Sequence, residues 1–369
     1  MAKKLSKLEI VQQKAEFTVK KTNKKIEELG QHTNGLYTSL SSIQSLFDRI
    51  RNVPEEDKFK YEKLKAIRLN WKQQAENIAL EYKKAEAKAA GQGAAGVGAG
   101  VAVAALGPAA AMGIATTFGV ASTGTAISVL SGAAATNAAL AWIGGGALAA
   151  GGGGMAAGGA FLALAGPVGW TIAGISVVAS RLMFFKTNGD KERLENIFTL
   201  ISKRDIKSYE LAIVELSERI ERIKTEGSKL AEAIIKIKSF GMEYNQMSEA
   251  QQYELGVYVN LMEASTMLLV NPIMGLKPKY TEEYFEKLCA SESDLYRRYF
   301  MNHKTMVISL CNLLYKIDLD EKDKKLLVKS LRKNKGFLES IEISKKEFDV
   351  DDLLFVERAL KHKYKLSEY

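Results

Sequence analysis

Hydrophobic positions recur every three to four residues along most of this chain, a spacing that predicts helices on both sides of a centre where it dissolves. Leu5, Leu8, Val11, Ala15, Val19, Thr22, Ile26 and Leu29 form a first amphipathic stripe, which Gly30 is expected to end as a C′ glycine. Leu36, Leu40, Ile43, Leu46, Phe47 and Ile50 form a second, closed by Pro54. A third helix should start at Pro54-Glu55-Glu56-Asp57, where acids suit the positive end of the helix dipole. Its core face is Tyr61, Leu64, Ile67, Trp71, Ala75, Ile78 and Tyr82. After the centre, residues 190–201 and 205–240 read as two further helices. The second carries Ile206, Tyr209, Ile213, Leu216, Ile220, Ile223, Leu230, Ile234 and Ile237, a stripe suited to coiled-coil-like pairing with the N-terminal helices. Residues 246–270 are more mixed and end at Asn271-Pro272, and shorter helices are expected over 284–289, 294–317, 321–331 and 350–360. No period-two pattern survives anywhere. The expected fold is all-α: long amphipathic helices in a coiled-coil-like bundle, flanking a transmembrane hairpin block, with a C-terminal helical part.

The centre is unlike its flanks. From Ala89 to Ser180, 92 residues pass without an Asp, Glu, Lys or Arg, and 22 of the 30 glycines fall there. Charged side chains cover most of a soluble surface, so this interval points to lipid; at roughly 20 residues per crossing it holds up to about four spans. Its first piece runs from Val97 through Pro108 to Phe118, and its second from Val120 through Leu130 and Leu140 to Trp142 and Ile143. Gly144, Gly145 and Gly146, then Gly151, Gly152, Gly153 and Gly154, predict the hairpin turn. The most hydrophobic piece, 160–185, carries Phe161, Leu162, Leu164, Pro167, Trp170, Ile172, Ile175 and Val178. These apolar residues are the candidate inserting positions. Small residues four apart, such as Gly96/Gly100 and Gly154/Gly158, permit close helix packing in lipid.

Lys83, Lys84 and Lys88 precede the block, and Arg181 and Lys186 follow it. Basic residues at both flanks place both ends on one side of a bilayer, hence an even number of crossings. Gly and Ala bring less transfer free energy than Leu, Ile or Phe, so inserted and sequestered states should lie close in energy. A soluble form that hides the segment among its own helices fits that balance. Two blander readings stay open: an anchor without conduction, and a buried soluble core.

Charge adds a direction. The 369 residues hold 52 Lys+Arg against 43 Asp+Glu, a net +9, and residues 1–88 alone carry +7. That arm suits anionic lipid, where each basic residue near the surface adds about 1 kcal/mol. The basic patches Lys20, Lys21, Lys24, Lys25 and Lys324, Lys325, Lys329, Arg332, Lys333, Lys335 have acids close by and no aromatic stacking motif, so they read as solvated helix faces and no nucleic-acid partner is expected. The charged N-terminus lacks a secretory signal pattern, which predicts synthesis in the cytoplasm and action at the inner membrane or, after specialised export, a target membrane.

Candidate chemistry is thin. Gly91-Gln92-Gly93-Ala94-Ala95-Gly96 matches G-x-G-x-x-G, but a Lys-rich helix precedes it and the next acid is Asp190, so it reads as a chance match. His32, His303 and His362 lie far apart, and Cys289 and Cys311 make neither a disulfide framework nor a metal-ligand spacing. No catalytic residue, metal or cofactor is expected, and the chain does not read as an enzyme.

The run Phe118-Gly119-Val120-Ala121-Ser122-Thr123-Gly124-Thr125, the run Ser131-Gly132-Ala133-Ala134-Ala135-Thr136-Asn137 through Trp142-Ile143-Gly144-Gly145-Gly146, and Leu164-Ala165-Gly166-Pro167-Val168-Gly169-Trp170 resemble a Gly/Ala-rich membrane segment of bacterial proteins. They are also similar to the small interferon-inducible mitochondrial membrane proteins, over about a quarter of the chain. The layout of long amphipathic helices flanking a hydrophobic hairpin resembles the α-helical pore-forming toxins of the cytolysin A and haemolysin BL type. That resemblance implies a soluble bundle that unpacks a hydrophobic head, inserts it and oligomerises. The chain departs from those toxins in its longer hydrophobic block and its extra C-terminal part.

The organisation expected is a basic arm (1–88), a membrane-inserting block (89–185), long helices packing on the arm (186–272) and a C-terminal helical domain (273–369). The function expected is permeabilisation of a bilayer, as a pore-forming toxin or a bacterial suicide or defence effector, with a homo-oligomer in the inserted state. The alternative is a non-conducting membrane-anchored scaffold whose C-terminal helices bind a protein partner.

Overall fold

The computed structural model describes residues 6–91, 108–118, 188–277, 279–280, 282–290, 292–333, 337–338 and 341–366. Among them the protein is all-α, 83% helical and without strands. Helix α1 (Lys7–Phe47) starts at a capping box: the Glu9 amide donates to the Ser6 hydroxyl (3.2 Å), and the Ser6 amide to the Glu9 carboxylate (2.6 Å). Helix α2 (Glu55–Gly91) starts at the acids after Pro54, and α3 (Pro108–Phe118) is a short helix from the uncharged block. The long α4 (Asn188–Ile237) and α5 (Glu249–Val270) complete a first bundle.

Helix α1 runs parallel to α4, whose first turns extend past it. Lys14 pairs with Glu210 near one end (3.0 Å), and at the other the Arg51 amide donates to the Met242 carbonyl (2.9 Å). Their apolar stripes meet as the periodicity requires, and Ile26, Leu29, Leu36, Leu40 and Ile43 of α1 share one core with Leu216, Ile220, Ile223, Leu230, Ala233 and Ile237 of α4. Arg219 closes the C-terminal end of α5 by donating to the carbonyls of Leu268 (2.7 Å) and Asn271 (2.9 Å).

A second core forms around the start of α4. Leu194, Ile197, Phe198 and Ile201 pack with Leu8 against α6 (Glu282–Ala290), α7 (Asp294–Asn302), α8 (Lys304–Leu314), α9 (Glu321–Leu331) and α10 (Val350–Leu366). Polar contacts fasten this unit to α4: Arg193 reaches Asp320 (2.7 Å) and Asp323 (2.6 Å), and Arg204 donates to the Leu313 carbonyl (3.0 Å).

Three boundaries differ from the sequence reading. Gly30 does not end a helix: the first two stripes are one helix, and the Thr33 hydroxyl donates to the Leu29 and Gly30 carbonyls across the expected break (2.7 and 3.1 Å). Residues 190–201 and 205–240 are likewise one helix, because nothing at 202–204 breaks the backbone and the Ser202 hydroxyl is satisfied by the Phe198 carbonyl (2.8 Å). Residues 294–317 instead split at His303, whose backbone leaves the helical region. That bend aims Phe300 and Met306 at the same core.

Candidate membrane-active segment

Pro108 and Phe118 bound α3, and Lys83, Lys84 and Lys88 lie on the last turns of α2. The other candidates fall outside the described residues: Val97, Val120, Leu130, Leu140, Trp142, Ile143, Phe161, Leu162, Leu164, Pro167, Trp170, Ile172, Ile175 and Val178, the turn glycines 144–146 and 151–154, and Arg181 and Lys186. The site that can be built from residues upward is therefore α3 and its cradle.

Pro108 stands at the first helical position, where its missing amide costs nothing. From Ala111 to Thr117 every residue is buried, so over these two turns no face of the helix meets water. An uncharged helix, apolar all round, can lie only in a core or in lipid. Here α1, α2 and α5 enclose it.

The α1–α3 crossing is made by two glycines. A Cβ built on Gly30 would stand 1.7 Å from the Ala109 carbonyl oxygen, and one built on Gly113 would stand 2.0 Å from the Ile26 carbonyl oxygen. The backbones touch because neither residue has a side chain. Among the described residues its polar ties are few: the Ile273 amide donates to the Thr117 carbonyl (2.8 Å), while the buried Thr116 and Thr117 hydroxyls find no partner there. Among the described residues, packing with little directional bonding holds α3 in place.

The cradle itself is cross-tied. Arg68 of α2, 3% exposed, donates to Gln44 of α1 and to the Thr266 hydroxyl of α5 (3.1 Å). Gln44 passes its amide to Asp48 (2.8 Å), which also takes Lys65 (2.8 Å). Burial pulls the Arg68 pKa down to about 10, leaving it charged at neutral pH. At Asp48 burial raises the pKa, but hydrogen bonds from Lys65 and Gln44 with the nearby charges of Lys65 and Arg68 outweigh it and hold the carboxyl below its usual range. One turn on, fully buried Trp71 stacks beside Tyr37, ring centroids 5.5 Å apart. Nothing in the hydrophobic pattern announced Arg68 or Gln44. The unbroken helix at Gly30 did have a signal, since Leu29, Thr33 and Leu36 continue the stripe past it.

Elsewhere the titratable groups are committed to each other. In a cleft of about 170 Å³ beside α8, α9 and α10, Lys324 bridges Glu321 (2.8 Å) and Glu357, and Lys361 takes the other oxygen of Glu357 (2.6 Å). Lys324 is thus buried and paired, and not part of a solvated face as the sequence suggested. Cys289 and Cys311 are buried thiols, and burial pushes the Cys289 pKa up. Among the described residues no cluster of three or more His, Cys, Asp or Glu side chains could hold a metal. One described helix is long and apolar enough to cross a membrane, α5 with the turn after it (Glu249–Leu276), and just over half of its apolar window, 56%, is buried in the bundle.

Fold and segment together define a class: an all-α protein whose charged amphipathic helices enclose an uncharged one. Compared with known protein families, characterised proteins and solved structures, the chain matches none.

Proposed function

We propose that this chain permeabilises a bilayer by inserting an even number of helices from its uncharged block, and that the bundle described above is the sequestered state. One observation carries the reading: residues 111–117 of α3 are buried among amphipathic helices yet, among the described residues, held mainly by packing, with the Thr116 and Thr117 hydroxyls unpartnered there. The helices around it are tied to one another through Arg68, Gln44 and Thr266, a network in which α3 takes no part. The block that follows supplies the remaining uncharged length, and the basic arm supplies attraction to anionic lipid. Assembly into a homo-oligomer would follow insertion.

The test is dye release from anionic liposomes by purified protein, with flotation measured on the same sample. Release with flotation is the expected result. Flotation without release would replace this reading with the anchored scaffold, and neither would remove the membrane altogether. Ala139→Asp and Ala163→Asp are each expected to abolish release, because a mid-span charge costs at least about 2.5 kcal/mol. Undiminished release by both variants would exclude insertion of these stretches.

A further inference from the structure

Two rows of exposed side chains lie next to each other on the outside of the α1–α4 pair. On α1 the row is Ile10, Lys14, Phe17 and Lys21, spaced by three and four so that all share one face. On α4 the row is Lys203, Lys207, Leu211 and Val214, likewise on one face. The Lys14–Glu210 pair (3.0 Å) stitches the rows at their shared edge. Because the two helices are parallel, Phe17 and Val214 lie at the same level along the pair, one turn beyond Lys14 and Glu210. Phe17 is 70% exposed, Val214 64%, Ile10 55% and Leu211 53%.

Large apolar side chains this open to water are not serving the core. Four of them interleaved with four lysines make a surface that is both apolar and basic. Among the described side chains the acids on it are Glu210, already spent on Lys14, and Glu218 at the far end. A protein partner would need an acidic apolar groove to match. An anionic bilayer offers the same chemistry over any area: phosphates for lysines that snorkel, and an acyl boundary for Phe17 and its neighbours.

We propose that this two-helix face is the surface by which the folded protein first lies on an anionic leaflet, before any helix leaves the bundle. The proposal rests on the membrane reading given above and adds the docking site to it. Lys14 fixes the register of the face through Glu210, Lys21 and Lys207 supply free charge, and Phe17 and Val214 supply the apolar contact.

The test uses the full chain and sucrose-loaded vesicles, of phosphatidylcholine with phosphatidylglycerol or of phosphatidylcholine alone, with co-sedimentation and dye release read separately. The parent protein is expected to sediment with the anionic vesicles and much less with the neutral ones. Lys21→Gln with Lys207→Gln should weaken that binding roughly 30-fold, at about 1 kcal/mol per lysine. Phe17→Ser with Val214→Ser should weaken it about tenfold or more and leave its salt dependence unchanged. Leu295→Ser with Met301→Ser, which trims apolar side chains equally exposed on the C-terminal unit, should bind as the parent does. Binding by both face variants equal to the parent's would overturn the proposal, as would equal binding to neutral vesicles. Vesicle binding by the parent without dye release would sink permeabilisation while leaving the docking face standing; no binding by the parent would remove both.

Discussion

Gly30→Leu is expected to drive α3 out of the bundle while leaving α1, α2, α4 and α5 folded. The reason is geometric: the first atom added at this position would fall 1.7 Å from a backbone oxygen of α3, and a backbone cannot turn aside as a side chain can. Overpacking a core usually costs about 1–3 kcal/mol, and this clash with main chain belongs at the upper end. Even Gly30→Ala should act in the same direction, although alanine favours α1 as a helix by about 1 kcal/mol. A reporter is available in Ala115→Cys, which places a thiol at a fully buried position of α3. In the Gly30→Leu protein its labelling by a maleimide should rise roughly 100-fold, the equivalent of about 3 kcal/mol, and flotation with liposomes should rise with it. Gly227→Ala is the control, because nothing stands within 4 Å of its Cβ, and there the thiol should stay protected. A thiol equally protected in Gly30→Leu would show that the crossing does not hold α3.

That crossing marks the limit of what could be read from the sequence. The spacing of Ala15, Ile26 and Leu29 and of Tyr209, Leu216 and Ile220 was enough to call helix there and to pair the two stripes, though as shorter pieces than the two long helices they belong to, because burial on one face imposes a period on the residues themselves. The start of α2 at Pro54 and the stop of α5 near Asn271 were legible for a local reason, as dihedral and capping preferences act within a few residues. Gly30 was misread because the glycine was weighed above the stripe that continues past it through Leu29, Thr33 and Leu36; that continuity argues for an unbroken helix but does not say what touches the glycine. The partner that touches it, Gly113, lies 83 positions away in a stretch with no period of its own. The exposed face of Phe17 and Val214 was hidden for a related reason: periodicity tells which residues are turned away from a core, but only the register of α1 on α4 tells which of those become neighbours.

The second large effect concerns the cradle. Gln44→Leu is expected to destabilise the first bundle by about 3 kcal/mol, because it leaves a buried guanidinium with one acceptor hydroxyl and cuts its link to Asp48. The folded pKa of Arg68 lies below its ordinary 12.5, so the folded state disfavours the charge. The cost is therefore present in full at neutral pH, where the guanidinium is charged. Replacing the charge together with its partner should behave differently: Gln44→Leu with Arg68→Met is expected to recover most of the loss, since an apolar side chain of similar length asks for no acceptor. Urea unfolding checks this through the transition midpoint at constant slope. If the double variant is as unstable as the sum of the two single ones, Arg68 and Gln44 are not coupled and the network has been misassigned. The distinction matters for the mechanism. Arg68, Gln44 and Thr266 tie α1, α2 and α5 directly to one another, and α3 takes no part in the tie. The three helices that enclose α3 thus have a bond among themselves that survives its departure, which is what a bundle needs if it is to release one helix and remain a bundle.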